Sequence, residues 1–101
     1  MTRRHELATE HFKNVVLAEK NKWPNDQWVG DIANCDVCSQ PMSDEQFMID
    51  GPCEASTRPM WGNLCVVCAY KFSPVIGWGK AQLYENDGEG VWKLVAGGPP
   101  E

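Results

Sequence analysis

Cys35-Asp36-Val37-Cys38 and Cys65-Val66-Val67-Cys68 are the stretches whose reading decides how this chain folds, and residues 39–64 separate them. Two residues between the cysteines of a pair let both thiolates reach one tetrahedral ion at a metal–sulfur distance of about 2.3 Å. One pair alone is explained as well by a buried apolar thiol or by chance spacing. Two pairs in one short chain point to a four-sulfur metal site, and a thioredoxin-like redox motif would need a βαβ context that is missing here. The expected ligands are therefore Cys35, Cys38, Cys65 and Cys68. The expected ion is a single structural Zn²⁺, because four protein sulfurs leave no position open for water or substrate. Spacing alone also admits iron or an iron–sulfur cluster.

The flanks of the two pairs differ, and the difference bears on the fold. Ser39-Gln40-Pro41 suggests a tight turn whose backbone amides point at sulfur, whereas Ala69-Tyr70-Lys71-Phe72 can start a short helix that stops at Ser73-Pro74. Between them, Gln46-Phe47-Met48-Ile49 reads as a strand closed by the turn pair Asp50-Gly51. A knuckle, a hairpin and a ligand-bearing helix start make a small α+β zinc-binding domain of treble-clef type, with a two-knuckle zinc ribbon as the alternative.

Further out, Lys80–Tyr84 and Val91–Val95 flank the polar loop Glu85–Gly90 and predict a C-terminal β-hairpin. Upstream, Ala8, Phe12, Val15, Val16 and Trp23 recur at helical spacing and predict one amphipathic helix from about Arg4 to Lys22, ended by Trp23-Pro24. Its apolar face is too narrow to stand alone, so it must pack on the following domain or on another chain. Trp28, Val29 and Ile32 are expected to tuck against the metal domain or the helix. The chain thus divides into a helical arm, residues 1–31, and a Cys₄ domain with its hairpin and tail, residues 32–101. Gly97-Gly98-Pro99-Pro100-Glu101 has no reason to be ordered unless a partner holds it.

Composition agrees with a metal-stapled fold. With 101 residues, 9 Gly and 7 Pro, the chain has a modest core to bury, and small loop-rich domains usually add a metal or disulfides. Five cysteines is an odd number. The opening Thr2-Arg3-Arg4-His5-Glu6 carries no apolar segment of a secretory signal, so a reducing cytoplasm is expected and disulfides are not. No apolar run approaches the roughly 18–20 residues that cross a bilayer, and no membrane partner is expected. The formal charge of −5 becomes still more negative when four thiols ionise around one divalent cation. Binding to a phosphate backbone is disfavoured overall, although a local basic patch is compatible with it.

Other features weigh less. Cys53 is the leftover thiol: a redox switch or replacement ligand on one reading, a half-buried cysteine without a role on the favoured one. His5 and His11 sit i, i+6 apart and are expected at the surface. Trp61, Trp78 and Trp92 are a candidate base-stacking platform, but the negative charge favours core packing over the metal site, with some tryptophans turned to a protein partner. Gly77-Trp78-Gly79-Lys80 lacks the spacing of a phosphate-binding loop, and its glycines instead allow a tight path into the hairpin. The acidic residues fit no EF-hand pattern. No Ser-His-Asp, Cys-His or paired-carboxylate motif points to catalysis, so no enzyme is expected.

Several of these segments together carry a resemblance. Cys35-Asp36-Val37-Cys38, Met48-Ile49-Asp50-Gly51, Met60-Trp61-Gly62-Asn63-Leu64-Cys65-Val66-Val67-Cys68 and Gly77–Tyr84 resemble small double-CxxC zinc-finger proteins of tailed bacteriophages, over about Cys35 to Gly97. The chain departs from that pattern at Ser39, where glycine is usual, in an apparent insertion from Pro52 to Pro59, and in its N-terminal helix. The resemblance implies a phage origin and a zinc-stabilised fold, and brings no assigned reaction with it. The function expected is a non-enzymatic interaction or structural module, a phage virion or assembly accessory protein whose partner is a virion, assembly or host protein. It would act in the cytoplasm of the infected bacterial host or in the virion. The alternatives are a regulator of host or phage transcription or replication machinery, and a zinc-finger protein that binds nucleic acid.

Overall fold

Ala8, Phe12, Val15 and Val16 fall on one helical face with no Gly or Pro among them, and in the computed structural model they belong to α1, Arg3–Glu19. The structure describes residues 3–19, 22–28, 30, 32–54 and 56–99. Lys20, Asn21 and Val29 lie outside these, so the predicted last turn of the helix and the packing of Val29 are not described. Trp23, expected to continue the helical stripe, instead sits in a turn in which the Asp26 amide donates to the Trp23 carbonyl. Proline at position 24 keeps its predecessor out of the helical region.

Four strands follow: β1 Phe47–Pro52, β2 Trp61–Leu64, β3 Gln82–Asn86 and β4 Trp92–Ala96, with a short helix α2, Val66–Phe72, between β2 and β3. All pairings are antiparallel, in the order β2-β1-β3-β4. The result is a small α+β fold with an N-terminal helix and, in β3–β4, the expected C-terminal hairpin. That hairpin starts two residues later than predicted, because Gly77–Ala81 closes a tight turn of its own, with the Ala81 amide donating to the Gly77 carbonyl.

The register explains the two-sided core. Leu64, Ile49, Leu83 and Ala96 are paired in one row across all four strands and are fully buried, beneath Ala8 and Phe12 of α1 and Val66 and Ala69 of α2. Met48, Tyr84 and Leu94 form the row on the opposite face, where Trp92, Met42 and the partly buried Trp23, Trp28 and Ile32 cover them. Strand residues alternate between faces, so β4 should send Leu94 and Ala96 to the same side. A bulge prevents that: Leu83 pairs with Ala96 while Tyr84 pairs with Leu94, and the extra Val95 flips the parity. With both faces covered, the central β1 runs through three consecutive buried residues, Phe47, Met48 and Ile49.

Asp50-Gly51, read as a turn, continues β1, pairing with Asn63 and Gly62. Gly51 serves close approach: a Cβ there would lie 2.9 Å from the Ala81 Cβ and 3.0 Å from the Ser73 hydroxyl. That hydroxyl donates to the Pro52 carbonyl at 2.6 Å and ties the end of α2 to the sheet. The hairpin connection is residues 53–60, which overlaps the stretch Pro52 to Pro59 that departs from the resemblance, while Pro52 itself belongs to β1. Burial in the sheet raises the Asp50 carboxyl above its ordinary 3.8. A carboxyl raised by folding adds stability at low pH and loses it as pH rises through the raised value, so at neutral pH it is a cost. Asp50→Asn is therefore expected to raise the melting temperature at pH 7 by a few degrees and to have no such effect at pH 3, as calorimetry at the two pH values would show.

The segment after β4 also differs from expectation. Gly97 and Gly98 are buried, and a Cβ on Gly98 would come within 2.5 Å of the Trp23 ring. The Trp23 indole N–H donates to the Pro99 carbonyl at 3.0 Å. An aromatic lid within the chain thus holds residues 97–99. Both outer strands are likewise covered. The Trp28 backbone amide donates to the Trp92 carbonyl and the Leu94 amide to the Asp26 carbonyl along β4, while the Asp36 amide donates to the Asn63 carbonyl of β2.

Candidate metal centre

The first pair is shaped by a knuckle. The Ser39 amide donates to the Cys35 carbonyl and the Cys35 amide to the Gln40 carbonyl, both at 2.9 Å. Ser39 closes the turn at φ 66°, a left-handed conformation that costs a residue with a Cβ roughly 1–2 kcal/mol. The second pair is delivered by a different element. Cys65 leaves β2 in extended geometry (φ −72°, ψ 166°) and occupies the N-cap of α2, which places Cys68 in the first helical turn. Inward-pointing amides result: those of Val37 and Cys65 both donate to the Cys35 sulfur at 3.4 Å.

The sulfurs of Cys35, Cys38, Cys65 and Cys68 all lie within 4.8 Å of one another. Four sulfurs in a tetrahedron around an ion at 2.3 Å would be about 3.8 Å apart, and Cys38 Sγ and Cys65 Sγ are 3.8 Å apart. The donor set, its spacing and the amides aimed at it fit one metal ion. Cys35 and Cys65 are buried, Cys68 is half-buried and Cys38 is exposed, so the cluster sits at the edge of the second core with one ligand toward solvent.

The electrostatics of the thiols support the same reading. Burial pushes the Cys65 thiol up to about 11, with the charge on Cys35 adding to it. Cys68 is pushed higher still, by burial and then by the charge of Cys65. At Cys35 burial also acts upward, but amide hydrogen bonds from Cys38, Cys65 and Val37 outweigh it and bring the thiol below its ordinary value. Cys65 and Cys68, whose ionisation is opposed by burial and by neighbouring thiolate charge, present the condition a divalent cation relieves.

Cys53 lies apart from this cluster. Its sulfur rests against the Gly51 carbonyl at 3.8 Å, packs at the margin of the first core, and is raised by burial and then by the charge of Asp36. Two residues not marked by the sequence support the site. Asp36 accepts the Asn63 amide on its carboxylate at 2.7 Å while its own amide donates to the Asn63 carbonyl, which clips the knuckle to β2. Gly62 makes room for that clip, since a Cβ there would lie 2.6 Å from the Cys53 sulfur and 2.7 Å from the Asp36 carboxylate. Nothing in the spacing of Asp36 and Gly62 signals this.

The histidines, expected at the surface, are half-buried fasteners of α1. His5 meets the Glu45 carboxylate at 2.8 Å, whose other oxygen accepts from Gln40 at 3.0 Å, and His11 pairs with the Pro74 carbonyl at 2.8 Å. The tryptophans divide. Trp92 is buried beside the metal cluster, whereas Trp61 and Trp78 are exposed. Among the described residues no helix is long and apolar enough to cross a membrane. Comparison with known protein families, curated proteins and solved structures found no match to the chain.

Proposed function

We propose that this chain is a non-enzymatic protein-interaction or structural module, held by one structural Zn²⁺ on Cys35, Cys38, Cys65 and Cys68, that acts as an accessory protein of a phage particle or of its assembly. The observation that carries the reading is the four-sulfur cluster itself. A donor set of four thiolates completes a tetrahedron, so the ion shapes the chain and leaves no coordination site for substrate. The knuckle at residues 35–40, the β1–β2 hairpin and the helix that begins at the second pair favour a treble clef over a zinc ribbon. Sulfur ligands in a tetrahedron suit zinc, and elemental analysis decides between it and iron. The likeness of the CxxC and glycine-rich segments to phage zinc-finger proteins supports a phage setting, and the closed four-sulfur site, the negative charge and the exposed Trp61 and Trp78 support an interaction role.

Metal analysis of the freshly purified chain is expected to give one zinc per polypeptide, and affinity capture from infected cells a virion or assembly protein. A folded, metal-free chain with free thiols would overturn the metal reading. Capture of polymerase or replication proteins alone would replace the assembly role with a regulatory one.

A further inference from the structure

The two flanks of α1 differ in chemistry. One carries Glu6 and Glu10 with His5 and Lys13, beside Asp44 across a groove, so that both signs of charge line it. On the other, where α1 meets α2, Arg4 and Leu7 face Val67, Tyr70 and Lys71 across a cleft of about 150 Å³. No carboxylate lines this second cleft, and among the described residues neither Arg4 nor Lys71 is in an ion pair. Leu7 is 50% and Tyr70 48% exposed, large apolar surface left open between two cations. Tyr70 is braced from behind: the His11 ring lies 5.0 Å from it and is itself pinned to the Pro74 carbonyl. Lys71 is held close by the Phe72 ring, 5.1 Å from its ammonium.

We infer that this cleft docks an acidic peptide segment of a partner protein, with one apolar side chain entering between Leu7, Val67 and Tyr70 and flanking Asp or Glu residues pairing with Arg4 and Lys71. Charge complementarity selects the occupant. On a chain of net charge −5, two cations that have no carboxylate partner among the described residues, at the margins of an apolar cleft, favour an acidic ligand. Nucleic acid is a poorer fit, because two phosphate contacts give a salt slope of only about −1.8 while the rest of the surface repels the backbone. A second copy also carries acidic groups, at Glu6, Glu10 and Asp44, and self-association is therefore one of the outcomes of the test. Ordered flanking rings reduce what must be immobilised on binding. The inference rests on the reading of the chain as an interaction module and names the kind of partner.

An array of random dodecapeptides probed with the metal-loaded chain tests it. The expected result is enrichment of Asp and Glu on both sides of one Leu, Phe or Trp. The best such peptide should lose at least tenfold in Kd against the Arg4→Glu/Lys71→Glu variant, and its Asn/Gln counterpart should bind both chains weakly and equally. Both side chains are exposed, and unchanged metal content and circular dichroism would establish that the variant is folded. Absence of acidic enrichment, or equal affinity of the two chains, overturns the inference. So does a variant whose loss is confined to single-stranded DNA binding or to self-association. If the variant still co-purifies with the wild-type chain's partner, the cleft is wrong and the module stands; if the wild type retains no protein at all, the module reading fails.

Discussion

Serine in place of Cys35 is expected to cost the domain its metal and its fold together. Cys35 is the buried hub of the cluster, receiving amides from Val37 and from Cys65 across the two halves of the site. Its loss leaves three thiols and a weak hydroxyl ligand. Apparent binding energies of structural zinc are about 10–16 kcal/mol in peptides, against about 5–15 kcal/mol for the whole stability of an ordinary domain. A chain whose knuckle has few apolar contacts of its own cannot absorb that deficit. Circular dichroism should show loss of cooperative melting, and a chelator should reproduce the effect in the wild type. Cys53→Ser, in contrast, should keep one ion per chain and the native spectrum, because that sulfur lies outside the cluster. Retained metal in the first variant, or lost metal in the second, would reassign the ligands.

Phe12→Ala is expected to be the most damaging change away from the metal. Phe12 is fully buried and is the largest side chain α1 contributes beneath the row Leu64–Ile49–Leu83–Ala96. Phenylalanine-to-alanine changes in cores cost about 3–5 kcal/mol, the lost transfer energy plus a cavity the sheet cannot close. For a domain of this size that corresponds to a fall in melting temperature of about 15 °C or more. The metal content of the protein that remains folded should not change, since Phe12 is not among the four sulfur donors and Cys35 and Cys65 are buried in the other core. Thermal melts with metal analysis would separate the two effects; a fall below about 5 °C would mean that the helix does not carry the first core.

What could be read from the residues was mostly local or chemical. The four-cysteine cluster followed from the spacing of Cys35, Cys38, Cys65 and Cys68, because coordination geometry acts over a few residues. Phe47–Ile49, the β3–β4 hairpin and the face of α1 followed from apolar periodicity. The sheet order did not. Trp61–Leu64 is a four-residue strand with an exposed tryptophan and one glycine, Gly62, paired with Gly51, so it shows no apolar alternation. Asp50-Gly51 carries a genuine local turn signal, overridden because Ser73 and Ala81 pack where a Cβ would be. Trp23 lies in helical phase with Phe12 and Val16, yet its partner is Gly98, far along the chain. Asp36 gave no signal because its contact with Asn63 exists only once the knuckle is in place.

That contact also bears on the fate of the metal-free chain. The outer rim of β2 is shielded at Asn63 by Asp36, the neighbour of a ligand, so losing the ion would release the shield along with the knuckle. An uncovered strand rim beside the exposed Trp61 is a template for strand pairing between molecules. The apoprotein would then be removed from solution by aggregation instead of persisting as a soluble unfolded pool, and the metal supply during synthesis would set the yield of usable protein.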